Sequence, residues 1–87
     1  MPRFGICSTV LPTHWLCNVR LGIRILPSTF VSETALKNQD FRLRRGISVQ
    51  LYNTVDAAKR VLTNWPEDAK KRVKIMPFTL DLDNAAT

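Results

Sequence analysis

The run Gly46-Ile-Ser-Val-Gln-Leu-Tyr-Asn-Thr-Val-Asp-Ala-Ala-Lys-Arg-Val-Leu-Thr-Asn-Trp-Pro66 changes its hydrophobic period halfway along, and that change decides the fold class. Ile47, Val49 and Leu51 alternate with Ser48 and Gln50, the two-residue period of a strand with one buried and one wet face. After it, Val55, Ala58, Val61, Leu62 and Trp65 recur at three-and-four spacing, the stripe of an amphipathic helix. Asn53 or Thr54 stands where a side-chain oxygen accepts from first-turn N–H groups, and Asp56 puts negative charge near the positive end of the helix dipole. A strand feeding such a helix implies an α+β fold, with a small antiparallel sheet or hairpin packed against one or two short helices.

Working upstream, Phe41 and Leu43 continue the odd-numbered apolar positions, so the strand reads back to residue 41, with Arg42 and Arg44 on its wet side. Arg45 breaks the alternation, and a tight turn or bulge over Arg44 to Gly46, giving two short strands instead of one, would account for it. Working downstream, Pro66 ends the helix and suits the first position of another. Glu67 and Asp68 then fill an acidic first turn, Lys70, Lys71, Arg72 and Lys74 fill the later ones, and Ala69, Val73 and Met76 form an apolar stripe up to Pro77. Phe78, Leu80 and Leu82 alternate with Thr79, Asp81 and Asp83 as a short strand or a frayed tail.

The pattern defines the first 40 residues poorly. Val19 to Ile25 alternates with Arg20, Gly22 and Arg24 as a strand, Pro27 stops it, and residues 27 to 33 form a connection leading to a short helical turn within Thr29 to Asn38. The chain thus divides into an irregular or strand-containing segment (1–40), a strand-helix-helix core (41–76) and a tail (77–87). Trp65, on the helix stripe before Pro66, is the expected core anchor, and Trp15 falls in the unassigned part.

At 87 residues the chain holds one core at most, and its 45% hydrophobic and 23% charged residues suit a soluble globular domain. No membrane partner is expected. The most apolar window, Val10 to Leu26, contains His14, Asn18, Arg20 and Arg24, and a span does not accommodate two central arginines. No signal peptide is expected either, since Pro12 and His14 interrupt the apolar stretch after Arg3. Cys7 and Cys17 read as free thiols in a cytoplasmic, reducing setting, because a secreted chain this small needs several bridges.

The candidates for chemistry are few. His14 with Cys7 and Cys17 falls short of a four-ligand metal site, and a Cys17–His14 pair would need a helix that Pro12 and the strand pattern oppose. Asp81 with Asp83, and Glu67 with Asp68, are carboxylate pairs in settings where solvated acids are routine. Gly5, Gly22 and Gly46 are too dispersed for a nucleotide-binding loop. The expectation is therefore a non-enzymatic protein with no catalytic residue, metal or cofactor. It would act as a structural or protein-interaction module, with itself or another protein as partner.

Charge gives the second reading. The net charge is +6, and residues 41 to 74 carry nine basic against three acidic residues. Arg42, Arg44, Lys59, Arg60, Lys70, Lys71 and Lys74 are the candidate phosphate contacts for weak, sequence-independent nucleic-acid binding. The same residues also serve as an ordinary solvated surface.

Residues 46 to 66 resemble the domain-of-unknown-function 982 family of small proteobacterial proteins, in which a strand leads into an acid-Ala-Ala helix that ends in Trp-Pro. Val55, Asp56, Ala57, Ala58, Leu62, Trp65 and Pro66 carry the likeness. It implies a small α+β fold with a short sheet and helices, and it brings no catalytic residue.

Overall fold

In the computed structural model, which describes residues 3–11, 13–80 and 82, β1 (Arg3–Ser8), β2 (His14–Leu21) and β3 (Arg24–Ser32) precede two helices, α1 (Glu33–Leu36) and α2 (Gln39–Arg45). Then come β4 (Ile47–Val49), β5 (Leu51–Tyr52), α3 (Val55–Leu62), α4 (Glu67–Lys70) and β6 (Val73–Phe78). The fold is α+β, a six-stranded antiparallel sheet packed against four short helices. Of the two readings of residues 1–40, the strand-containing one applies, and those residues supply most of the buried core.

The sheet grows from β1. One edge of β1 pairs along its whole length with β6, from Arg3 opposite Phe78 to Ser8 opposite Val73. The other edge meets β2 at Cys7 opposite Trp15, and then the two strands part. Residues 47–52 fill the fork: β4 runs antiparallel to β2, with Val19 opposite Ile47, and β5 runs antiparallel to β1, with Gly5 opposite Leu51. Since β1 and β2 are themselves antiparallel, the chain changes direction at Gln50. Its side-chain amide donates to Asn18 Oδ1 at 2.7 Å and Ser28 Oγ at 2.8 Å and accepts from the Tyr52 hydroxyl at 2.8 Å.

Four expectations are corrected. Residues 41–45 are helix, not strand. The Asn38 side chain accepts from the Phe41 N–H at 3.1 Å, Asp40 lies in the first turn, Arg42, Arg44 and Arg45 in the last, and Gly46 closes the helix at φ 60°. These end signals outweigh an alternation of only two apolar residues, and Leu43, expected inside, is 71% exposed. The alternating stretch from Val19 to Ile25 is the end of a hairpin: Gly22, at φ 61°, and Ile23 make a two-residue turn between Leu21 and Arg24.

Pro27 does not stop β3. Val19 pairs with Leu26 and Cys17 with Thr29, so Pro27 and Ser28 together face Asn18 in a bulge on an edge strand, where a missing N–H does no harm. Finally, the expected second helix lasts one turn, and Val73–Phe78 is strand β6, with Pro77 again on a sheet edge. Six pairings with β1 outweigh the narrow Ala69–Val73–Met76 stripe.

Strand alternation gives the sheet two covered faces. Cys7, Trp15, Cys17, Val31, Met76 and Phe78 lie on the first, beneath Ala35 and Leu36 of α1 and Phe41 of α2, with Leu80 and Leu82 against them. Ile6, Ile75, Leu16 and Phe30 lie on the second, where α3 packs over β1, β5 and β6 and buries Ala58. The anchor of the first face is Trp15, 5% exposed, its ring edge-on to Phe78 at 4.8 Å and its indole N–H donating to Glu33 Oε1 at 3.3 Å. Trp65 lies past the end of α3 and is half-buried, beside a surface cleft.

Trp15→Ala should therefore cost about 3–5 kcal/mol, against about 1–2 kcal/mol for Trp65→Ala, both read from urea melts. Equal losses would contradict this assignment of the anchor. Gly46→Ala should lower the urea midpoint far more than Gly22→Asn. It combines a positive φ with a Cβ that falls on the backbone carbonyl of Arg20, whereas Gly22→Asn meets open space and should shift the midpoint little.

Candidate interaction surface

The cations split between the two sides of the sheet. Arg42 and Arg44 project from α2 on the first side, Lys59 and Arg60 from α3 on the second, Lys70 and Lys71 sit at α4, and Lys74 lies on β6 opposite Cys7. Several are already engaged. Arg44 pairs with Asp40 at 3.1 Å, Lys70 with Glu67 at 3.4 Å, and Arg45 lies 5.4 Å above the Phe41 ring. Arg42 donates through Nη2 to the Leu82 carbonyl at 3.4 Å, and its Nε is buried without a hydrogen-bond partner. The structure therefore does not bring the seven candidate phosphate contacts onto one face.

Cys7 and Cys17 are buried free thiols on the first face, the Cys7 sulfur hydrogen-bonded to the backbone of His14, whose side chain alternates onto the second face. Among the described residues no three His, Cys, Asp or Glu side chains gather as a metal site would require. Of the carboxylate pairs, Glu67 is engaged with Lys70, and Asp81 and Asp83 lie outside the described residues.

A cleft of 670 Å³ opens on the second face, walled by Phe30, Trp65, Pro66, Val10, Leu11 and Val73. The Ser8 hydroxyl in it accepts from the N–H groups of Val10 and Leu11 at 3.1 and 3.0 Å, which fixes the loop after β1. Its ionisable groups are Asp68 and Arg72. Its wall is mainly apolar.

Exposed aliphatic side chains also gather at the β2–β3 turn, where Ile23 is 95% exposed, Ile25 78% and Leu21 46%. Cross-strand pairing sets Arg20 beside Ile25 on one face of the hairpin and Leu21 beside Arg24 on the other. The Arg20 N–H donates to the Gly46 carbonyl at 2.9 Å, which fixes the hairpin against the C-terminal end of α2, where Leu43, Arg44 and Arg45 precede Gly46. One end of the molecule thus combines four exposed aliphatic residues with four arginines. The sequence pattern concealed this cluster by presenting Val19 to Ile25 as a half-buried strand; the two-residue spacing between Leu21 and Arg24, with Gly22 first, was the signal for a turn.

No family model, curated protein or solved structure matches the chain.

The buried thiols supply a check on the core. Burial pushes the Cys17 thiol from its ordinary 9.0 up to about 12 and also raises Cys7, whose shift the nearby Lys74 ammonium opposes. Native Cys17 should therefore react with iodoacetamide at about pH 8 roughly a thousandfold more slowly than in urea, measured by mass spectrometry. Unfolding releases a thiol that ionises near 9, so Cys17 favours the native state fully below that pH and progressively less as the pH climbs toward 12. A melting temperature flat from pH 9 to 12 would contradict the burial.

Proposed function

We propose that the protein is a non-enzymatic interaction module that engages its partner through the end formed by the β2–β3 turn and the C-terminal end of α2. The observation that carries this reading is Ile23, 95% exposed on a hairpin tip and flanked by Ile25 and Leu21. Scattered exposed aliphatics are normal on a protein surface; several gathered on one projecting turn mark a contact site. These side chains contribute nothing to the core, so folding alone does not call for them.

The free strand edges support the reading less well. The outer edge of β3 carries Pro27 and a bulge, and β6 carries Pro77, both features that blunt pairing with another chain. Contact through side chains at the turn avoids that obstacle. A second copy of the chain fits poorly as partner, because apposed hairpin ends would set Arg20 and Arg24 against the same residues.

A photo-reactive diazirine residue in place of Ile23, introduced in living cells, is expected to give covalent adducts with the partner on irradiation. The same residue in place of Thr34, which is exposed on α1, should give few. Adducts from position 34 and none from 23 would overturn the choice of surface.

A further inference from the structure

We infer that the partner of this end is an anionic lipid bilayer, touched at its interface; the inference rests on the contact surface proposed above. Three observations lead there. The first is composition: Leu21, Ile23, Ile25 and Leu43 are 46, 95, 78 and 71% exposed, and Arg20 and Arg24 accompany them, beside Arg44 and Arg45, which Asp40 and Phe41 already engage. Interfacial binding draws on both parts, aliphatic area entering the acyl boundary and cations meeting anionic headgroups.

The second is charge. Residues 1–32 contain no acid, and Asp40, the acid on α2, is engaged by Arg44 at 3.1 Å. The segment that carries Arg20 and Arg24 thus adds no carboxylate of its own to repel an anionic surface, and each guanidinium presents a fork that matches a phosphodiester.

The third is shape. The turn at Gly22 and Ile23 projects beyond the contact between Arg20 and Gly46, and both faces of the hairpin carry one aliphatic and one arginine, Ile25 with Arg20 and Leu21 with Arg24. A protein partner covers one face of such a wedge and needs a socket for the other. A fluid interface surrounds both faces end-on. Nucleic acid would use the arginines and leave Ile23 idle, since aliphatic side chains do not stack on bases as aromatic rings do. No helix among the described residues is long and apolar enough to cross a membrane, and interfacial contact does not require one.

The test is co-sedimentation with phosphatidylcholine vesicles containing about 30% phosphatidylserine, beside pure phosphatidylcholine vesicles and a short DNA duplex. Binding is expected to the anionic vesicles and not to the neutral ones. Ile23→Asp should weaken it about tenfold or more, as should the double variant Arg20→Gln with Arg24→Gln. Lys59→Gln with Arg60→Gln removes the same charge from α3 and should leave binding intact. Circular dichroism checks that each variant is folded, which the exposure of these positions favours. No binding to anionic vesicles, equal loss in both double variants, an Ile23→Asp protein that binds like the parent, or tighter binding to the duplex would each overturn the lipid assignment. If the residue at position 23 cross-links only to a protein while vesicles are not bound, the lipid assignment falls and the interaction module stands.

Discussion

The indole of Trp15 rests against the bare backbone of Gly5, and the first layer of the core is arranged around that contact. A Cβ on residue 5 would come within 2.8 Å of the ring. The absence of that atom lets the ring lie across β1 from its place in β2, with Phe78 of β6 perpendicular to it and Glu33 of α1 at its nitrogen. Two strands that share one opposed pair, Cys7 with Trp15, are thereby tied to a third strand and to the first helix. Their parting beyond that pair opens the fork that residues 47–52 fill, with Gly46 at its entrance.

The α+β class was legible in the sequence because the change of period between Leu51 and Val55 is local information. Thr54 caps α3 by accepting from the Ala57 N–H at 3.1 Å, as the capping chemistry of residues 53–56 implies. What escaped was whatever depended on a distant partner. Val73–Phe78 becomes a strand because β1 is available to it, and nothing near residue 73 says so. Pro27 reads as a terminator by its own chemistry, and only the unpaired outer edge of β3 makes it harmless. The helix at 39–45 is a different case: Asn38, Asp40, the late arginines and Gly46 were all visible, but they were outweighed by an alternation that continued correctly at Ile47.

The surface was legible in its ingredients and not in its arrangement. The excess of cations is a property of the sequence, whereas their division between the two sides of the sheet follows from α2 and α3 covering opposite faces. Ile23 and Ile25 have the chemistry of core residues and occupy a strand-like pattern, so one sequence alone gives them no reason to be outside. Their exposure follows from the turn at Gly22, which carries the hairpin end past the last helix that could cover it.

The pairing of β1 with β6 ties the fold together in time as well as in space. Residues 3–8 find their longest partner some seventy positions away, at 73–78, so the centre of the sheet stays open on one side until those residues have left the ribosome. The β2–β3 hairpin, whose strands are joined by two residues, is free to form long before that. Such separation between contacting segments slows the rate-limiting search, and it leaves an unpaired strand carrying Ile6 and Cys7 exposed to other nascent chains in the meantime. During synthesis the protein therefore depends on the speed with which β6 follows β1.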